Sequence, residues 1–270
     1  MSKSRLESVF PLSPLQEGLL FHALYDEQSP DVYVVQLALE FEDNLDSERL
    51  RAAADAVLKR HANLRAGFRQ RRQQEGQPVQ LIAAGIRAPW RLVDLRDHDE
   101  EERTVGLERA VAEEKARRFD MARPPLLRFT LFQLAEERFV LLLTAHHILL
   151  DGWSMPILMR ELFELYGSGG DDTGLPRVAP YQDYLSWLAA RDRETGKAAW
   201  AAALSGLEEP CQLARVGAAE GVARPKKITR MVSAELTEAL QERARSRGLT
   251  MNTLVQGAWA LLLGALTGRD

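Results

Sequence analysis

The stretch His146-His147-Ile148-Leu149-Leu150-Asp151-Gly152 follows an apolar run over residues 139–145. The chain contains only five histidines, and two of them are adjacent here. An apolar run without alternation is typical of a strand buried on both faces. Because consecutive strand residues point to opposite faces, we expect one histidine of the pair to be packed in the core. The other is then free for chemistry, since an imidazole can take or orient a proton near neutral pH.

The patterns on either side place this pair in a loop. Residues 126–134 predict a strand, an acidic pair makes the turn, and residues 139–145 predict the returning strand. After the loop, Ser154 is a candidate helix N-cap and Pro156 suits the first turn of a helix. The spacing of apolar residues over residues 157–166 predicts that this helix is amphipathic. The histidines are therefore predicted to lie between a buried strand and a helix.

The remainder of the chain mixes strand and helix patterns, which indicates an α/β (α+β) fold. Residues 32–41 alternate apolar and polar side chains, as a half-buried strand does. Asp46 is placed to cap a helix whose apolar stripe has a period of 3.6 residues. The stripe consists of Leu50, Ala53, Ala54, Val57, Leu58 and His61. We expect His61 to be a packed histidine, and residues 101–119 to form a further helix.

Residues 167–174 are rich in glycine and form the most linker-like segment of the chain. We therefore predict a domain boundary after residue 170. The first domain would cover residues 1–170 and carry the histidine loop. The second would cover residues 171–270, where helical patterns predominate.

Composition argues against several classes of protein. A net charge of −4 and a pI near 5.9 argue against a nucleic-acid-binding protein, which usually presents a basic face. Cys211 is the only cysteine, so neither an internal disulfide nor a zinc ribbon can form. The N-terminal residues precede no long apolar stretch, and no apolar run is long enough to span a bilayer. We expect a cytoplasmic protein without nucleic-acid or membrane partners.

Three other roles compete for the histidine pair. Adjacent histidines point in different directions, whereas helical metal pairs stand three or four residues apart, so we expect no metal site. Ser154 is near enough in sequence to be a nucleophile, but the chain has no Gly-x-Ser-x-Gly elbow and the residue suits a helix cap. Both histidines could also be inert core residues. The Asp-Gly that follows favours a reactive role for one of them.

The quoted stretch resembles the His-His-x-x-x-Asp-Gly signature of the chloramphenicol-acetyltransferase-like superfamily, and especially of condensation domains in nonribosomal peptide synthetases. Four further segments resemble motifs of that family, in the family's order. They are residues 11–22 (PLSPLQEGLLFH), 60–68 (RHANLRAGF), 181–187 (YQDYLSW) and 252–259 (NTLVQGAW). The resemblance implies a two-lobe fold, with one complete N-terminal lobe here and the start of the second, and the histidine loop at the floor of a tunnel between the lobes.

The resemblance also implies an activity. The amine of a carrier-bound acceptor aminoacyl thioester attacks a carrier-bound donor thioester and forms an amide. The partners would be upstream donor and downstream acceptor peptidyl carrier proteins and an adjacent adenylation domain. The carriers deliver the substrates on 4'-phosphopantetheine arms, and the domain needs no cofactor of its own. Residues 15–22 resemble the subgroup whose donor ends in a D-residue.

The resemblance assigns the catalytic centre to His146, His147, Asp151 and Gly152. His147 matches the family's catalytic histidine, and His146 is the structural neighbour. Asp151 would brace the loop through a buried ion pair with Arg65, and breaking one side of such a pair costs roughly 3–5 kcal/mol. Gly152 would allow a tight turn and close approach of the backbone to substrate.

Three further residues are predicted to line the tunnel: His22, Trp153 and Ser154. Three alternatives stay open beside the peptide-forming enzyme. The chain could be a non-catalytic carrier-protein-binding fragment of such a domain. It could also be an epimerisation domain, or an acyltransferase of the same superfamily that uses coenzyme A.

Overall fold

The computed structural model describes residues 5–25, 31–70, 77–207, 213 and 228–268. Cys211 lies outside the described residues. The strands are β1 (Arg5–Pro11), β2 (Val34–Glu42), β3 (Ala66–Arg69), β4 (Val79–Ala84), β5 (Trp90–Asp94), β6 (Leu127–Ala135) and β7 (Arg138–His146). The helices are α1 (Pro14–Tyr25), α2 (Ser47–Arg60), α3 (Glu100–Ala116), α4 (Ser154–Ser168), α5 (Tyr181–Ala189), α6 (Arg193–Ala203), α7 (Ala234–Ser246) and α8 (Met251–Thr267). The predicted mixture of strands and helices is confirmed.

The chain divides into two compact units, Met1–Arg191 and Asp192–Asp270. The boundary predicted after residue 170 falls inside the first unit. The glycine-rich segment is bonded to that unit, because Arg49 donates to the carbonyl of Gly167 and Arg60 pairs with Asp172. Glycine content there reflects a helix end, since Gly169 ends α4 with a φ of 70°.

The larger sheet of the first unit has the strand order β2-β7-β6-β5. The β5–β6 pair is parallel and is joined through α3, whereas β6–β7 and β2–β7 are antiparallel. β7 is therefore an inner strand, and it is buried from Phe139 to His146. Val34 pairs with His146 at the end of this ladder. The sheet thus delivers the histidine pair to the edge where β7 ends.

Both faces of this sheet are covered, as the unbroken apolar run of β7 predicted. On one face, Leu141 and Leu143 belong to the main core, which includes the fully buried stripe of α2 and the apolar side of α4. On the other face, Val140 and Leu142 pack with α3. Asp46 caps α2 by accepting from the backbone N–H groups of residues 48 and 49, so the predicted N-cap is confirmed.

A second sheet of the first unit has the order β1-β4-β3. The second unit contains α6, α7 and α8, with Ser233 capping α7 and Thr250 capping α8. In the part of the chain that the structure describes, no single helix is long and apolar enough to cross a membrane. Taken together, α7 and α8 have the length and composition, but the pair is bent by 98°.

Candidate active site

The two adjacent histidines lie in different environments. His146, the last residue of β7, is fully buried, whereas His147 is exposed. Strand alternation causes this split, as expected from the sequence. The backbone N–H of His147 bonds to the carbonyl of Tyr33 at 2.8 Å, which extends the β2–β7 ladder past the end of the strand. The exposed imidazole is therefore carried on an anchored backbone.

The hydrogen bond of the His147 ring selects its tautomer. Its Nδ1 lies 2.8 Å from the carbonyl oxygen of Leu150, which can only accept. Nδ1 therefore carries a hydrogen, and in the neutral ring the lone pair is on Nε2. The structure thus leaves Nε2 as the atom that can accept a proton from a reacting group.

His146 is held in the opposite tautomer. Its Nδ1 accepts the backbone N–H of Ile148 at 3.0 Å, so the hydrogen of the neutral ring is on Nε2. Nε2 lies 3.2 Å from Oδ2 of Asp31, without the angles of a regular hydrogen bond. Burial raises the pKa of the Asp31 carboxyl, but contacts with His146 and the backbone N–H of Tyr33 outweigh it and the pKa is lowered. Sequence reasoning missed Asp31, whose only signal is its place just before β2.

Asp151 braces the loop, but through a different partner from the one predicted. Its carboxylate is exposed, and Oδ1 accepts the Ser154 backbone N–H at 2.8 Å and the Ser154 hydroxyl at 2.7 Å. The hydroxyl and then the N–H of Ser154 lower the pKa of Asp151. Ser154 is thus the first residue of α4 and a donor, rather than the N-cap acceptor that the sequence predicted.

The predicted ion pair between Asp151 and Arg65 is wrong, because Arg65 is engaged elsewhere. Its guanidinium is buried and donates to the carbonyls of Leu58 and Ala83, at 2.9 Å and 2.6 Å, and to the carboxylate of Glu7. Leu58 is in the last turn of α2, where carbonyls lack partners within the helix. Arg65 therefore joins α2 to β4 and β1.

Gly152 has an ordinary backbone conformation. Its φ is not positive, and a Cβ added there would meet nothing within 4 Å. The turn therefore does not require glycine, contrary to the prediction. The predicted close approach of the backbone to substrate stays a prediction.

An open cleft of about 620 Å³ lies beside His147. Its lining includes Asp151 and Ser154 from the loop, and Tyr181 and Tyr184 from α5. Burial raises the pKa of the Tyr181 phenol. Both tyrosines belong to a segment that carried the family resemblance, but neither was predicted as a site residue. A volume of this size suits a ligand of moderate size.

Two predicted tunnel residues are not part of that cleft. The Trp153 side chain is 87% exposed. His22 is exposed on α1, with its ring 5.9 Å from that of Tyr33, which does line the cleft. Contact of either residue with a substrate tunnel stays a prediction.

Gln16 ties the opening segment of the chain to the histidine loop. Its Oε1 accepts the backbone N–H of Ser13 at 3.0 Å, and its Nε2 donates to the carbonyl of Ile148 at 3.3 Å. Gln80 also donates to Oε1, at 3.3 Å. Gln16 is buried and lines the cleft, so the resemblance at residues 11–22 has a structural counterpart at the site.

His61 is a packed histidine. Its Nε2 lies 2.6 Å from Oε2 of Glu161 on α4, and the same oxygen accepts from Arg60 at 2.9 Å. Burial raises the pKa of Glu161, but His61 and then Arg60 outweigh it and the pKa is lowered. Over residues 5–25, 31–70, 77–207, 213 and 228–268, no three His, Cys, Asp or Glu side chains form a group that could hold a metal ion.

A family model and two named proteins match almost the whole length of this chain. A family model described as "Condensation domain" matches residues 6–270. One of the proteins that make up the linear gramicidin synthase of Brevibacillus parabrevis is 38% identical over 270 residues, which cover 98% of this chain and 5% of that protein. Bacitracin synthase 3 of Bacillus licheniformis is 33% identical over 265 residues, which cover 97% of this chain and 4% of that protein. The chain thus spans a small part of these relatives.

Two solved structures share the fold of this chain. The first condensation domain of the calcium-dependent antibiotic synthetase, in complex with a substrate analogue, has a TM-score of 0.78 at 23% identity. The match covers 97% of this chain and 61% of that one. The EpoB cyclization-docking bidomain from Sorangium cellulosum has a TM-score of 0.76 at 23% identity, over 96% of this chain and 52% of that one. The likeness confirms the chloramphenicol-acetyltransferase-like α/β fold. With the family model matching almost every residue, the chain belongs to the condensation-domain family.

Proposed function

We propose that this chain carries the catalytic centre of a peptide-bond-forming enzyme of nonribosomal peptide synthesis, with His147 as the catalytic residue. The observation that carries the proposal is the Nδ1 hydrogen bond of His147, which leaves Nε2 as an acceptor beside the cleft. The amine nitrogen of an acceptor aminoacyl thioester attacks the carbonyl carbon of a donor thioester. A C–N bond forms and the C–S bond breaks. The amine loses a proton, and the leaving sulfur takes up a proton to become a thiol.

His147 acts in this reaction by holding the amine and taking its proton. A free α-amine has a pKa of about 8, so it is partly neutral before any base acts. Placing the amine in line with the thioester therefore contributes beside proton transfer. Asp151 and Ser154 hold the end of the loop at the start of α4, which keeps the imidazole beside the cleft.

Membership of the condensation-domain family supports the substrates and partners that we propose. Upstream donor and downstream acceptor peptidyl carrier proteins deliver both substrates on 4'-phosphopantetheine arms, beside an adenylation domain, in the cytoplasm. The relatives are named for the synthesis of gramicidin and bacitracin, which supports a role in secondary metabolism. The resemblance at residues 15–22 favours a donor that ends in a D-residue.

A carrier-loaded condensation assay tests the proposal. The chain is mixed with one carrier loaded with a donor aminoacyl group and another loaded with an acceptor, and dipeptidyl carrier is followed by mass spectrometry. We expect His147→Ala to slow product formation roughly 100- to 10,000-fold, the range for loss of a positioned acid–base group. The matched control, His98→Ala, removes an exposed histidine on another part of the unit and should leave the rate unchanged.

Each outcome separates the proposal from an alternative. Equal rates for His147→Ala and the unmodified chain overturn the catalytic role. Carrier binding without product favours the non-catalytic carrier-binding fragment. Inversion of the donor stereocentre without amide formation favours an epimerisation domain, and acyl transfer from coenzyme A favours the free acyltransferase. Matched D- and L-donors test the donor preference, and a faster L-donor refutes that part alone.

A further inference from the structure

We infer that Asp31 is a positioning residue that sets His147 through the neighbouring ring of His146. The inference deepens the proposed function and rests on it for its effect on rate. Asp31 precedes β2, and its side chain is only 3% exposed beside the fully buried His146.

Asp31 closes a ring of contacts around the backbone of His147. Its Oδ1 accepts the backbone N–H of Tyr33 at 3.0 Å, and the Tyr33 carbonyl accepts the backbone N–H of His147. On the other side, Oδ2 faces Nε2 of His146, and Nδ1 of that ring accepts the backbone N–H of Ile148. Asp31 thus contacts both the ring of His146, which precedes His147 and accepts from Ile148, and the backbone of Tyr33, which bonds to His147 itself.

These contacts require a carboxylate. Because Nδ1 of His146 accepts from Ile148, its Nε2 carries the hydrogen and needs an acceptor. The backbone N–H of Tyr33 is a second donor and needs an acceptor oxygen of its own. A carboxylate supplies one oxygen to each of these two donors. An Asn at position 31 has one oxygen and one NH₂ group, so one of the two donors would face another donor. Reversing the His146 tautomer only moves the conflict to the N–H of Ile148.

Asp31→Asn therefore tests the inference directly, because Asn has the size of Asp but only one acceptor oxygen. It should leave a buried donor facing a donor, and the loop should shift to relieve the contact. A displacement of about 1 Å at a reacting group costs up to about 100-fold in rate. We expect the kcat for condensation to fall about 10- to 100-fold, with KM for both carriers unchanged.

The test combines kinetics with a readout that needs no turnover. The full chain labelled with ¹⁵N-histidine is studied by NMR, in which the two tautomers of neutral histidine have distinct nitrogen shifts. Unmodified protein should show a hydrogen on Nε2 of His146 and on Nδ1 of His147. Asp31→Asn should move the signals of both rings, while the exposed control Asp97→Asn should move neither.

A double-mutant cycle assigns the effect to His146. In a His146→Phe background, Asp31→Asn should lose most of its effect on kcat, because the N–H that required the second acceptor is gone. Additive effects of the two substitutions overturn the inference, and so do unchanged His147 signals in folded Asp31→Asn. If Asp31→Asn does not fold, the unmodified protein still decides, since a hydrogen on Nδ1 of His146 refutes the argument. Absence of condensation by the unmodified chain would instead count against the proposed function and leave the NMR test intact.

Discussion

Replacing Arg65 tests which ion pair the fold uses. The Arg65 side chain is 9% exposed. Arg65→Met keeps an aliphatic side chain there and removes the guanidinium. Two carbonyls, those of Leu58 and Ala83, then lose a donor. At about 1–3 kcal/mol for each unsatisfied buried group, the free energy of unfolding should fall by about 2–6 kcal/mol.

The two candidate carboxylate partners should respond differently from Arg65. Glu7 is 43% exposed, so its pair with Arg65 is worth at most about 1 kcal/mol and Glu7→Gln should be mild. Asp151→Asn keeps an oxygen that can accept from Ser154, and should also cost less than about 1 kcal/mol. A buried pair between Arg65 and Asp151 would instead cost roughly 3–5 kcal/mol when either side is removed.

Urea unfolding of the full chain, followed by circular dichroism and tryptophan fluorescence, measures these differences. The comparison needs coincident transitions, since two compact units can unfold separately. A double-mutant cycle should give a coupling energy near zero between positions 65 and 151. A coupling above about 1 kcal/mol, or Asp151→Asn as damaging as Arg65→Met, would refute the assignment of Arg65 to the two carbonyls.

Three further substitutions probe the packing around the site. The pKa of Glu161 is lowered on folding, so the ionised carboxylate stabilises the fold above its ordinary pKa, and this stabilisation is lost as the pH falls through the folded value. Glu161→Gln should therefore reduce the fall in melting temperature below about pH 4.5. The same fall in the variant and the unmodified protein would contradict this. Gln16→Leu should lower the free energy of unfolding by about 1–3 kcal/mol, as measured in urea, because the carbonyl of the histidine loop loses its donor. Gly67→Ala should cost about 1–3 kcal/mol because the new Cβ would lie 2.8 Å from Cδ of Pro124; the helical control Gly18→Ala, with nothing within 4 Å, should raise the melting temperature, and equal effects would count against a steric cause.

Local patterns predicted much of the first unit. The stripe of α2, the cap at Asp46 and the doubly buried β7 depend on periodicity and on one hydrogen-bonding side chain, and these are properties of short segments. The opposite burial of His146 and His147 follows from the same local rule.

The partners of charged side chains could not be predicted in this way. Arg65 could reach Glu7 only because β1 lies beside β4, and this pairing is a property of the tertiary structure. The place of Asp31 before β2 was too weak a signal, because an aspartate before a strand usually begins a turn. The boundary after residue 170 stays a prediction, and glycine content alone does not report that Arg49 and Arg60 bond to the segment around it.

The β2–β7 pairing has a consequence for how this protein is made. Gln36 on β2 bonds to Thr144 on β7, and these residues are 108 positions apart in the sequence. Contacts between distant segments form slowly, because the loop between them must close before the contacts stabilise it. During synthesis β2 therefore remains unpaired until β7 has left the ribosome. Slow translation should expose the edge of β2 for longer, and aggregation of the nascent chain is the failure that we expect.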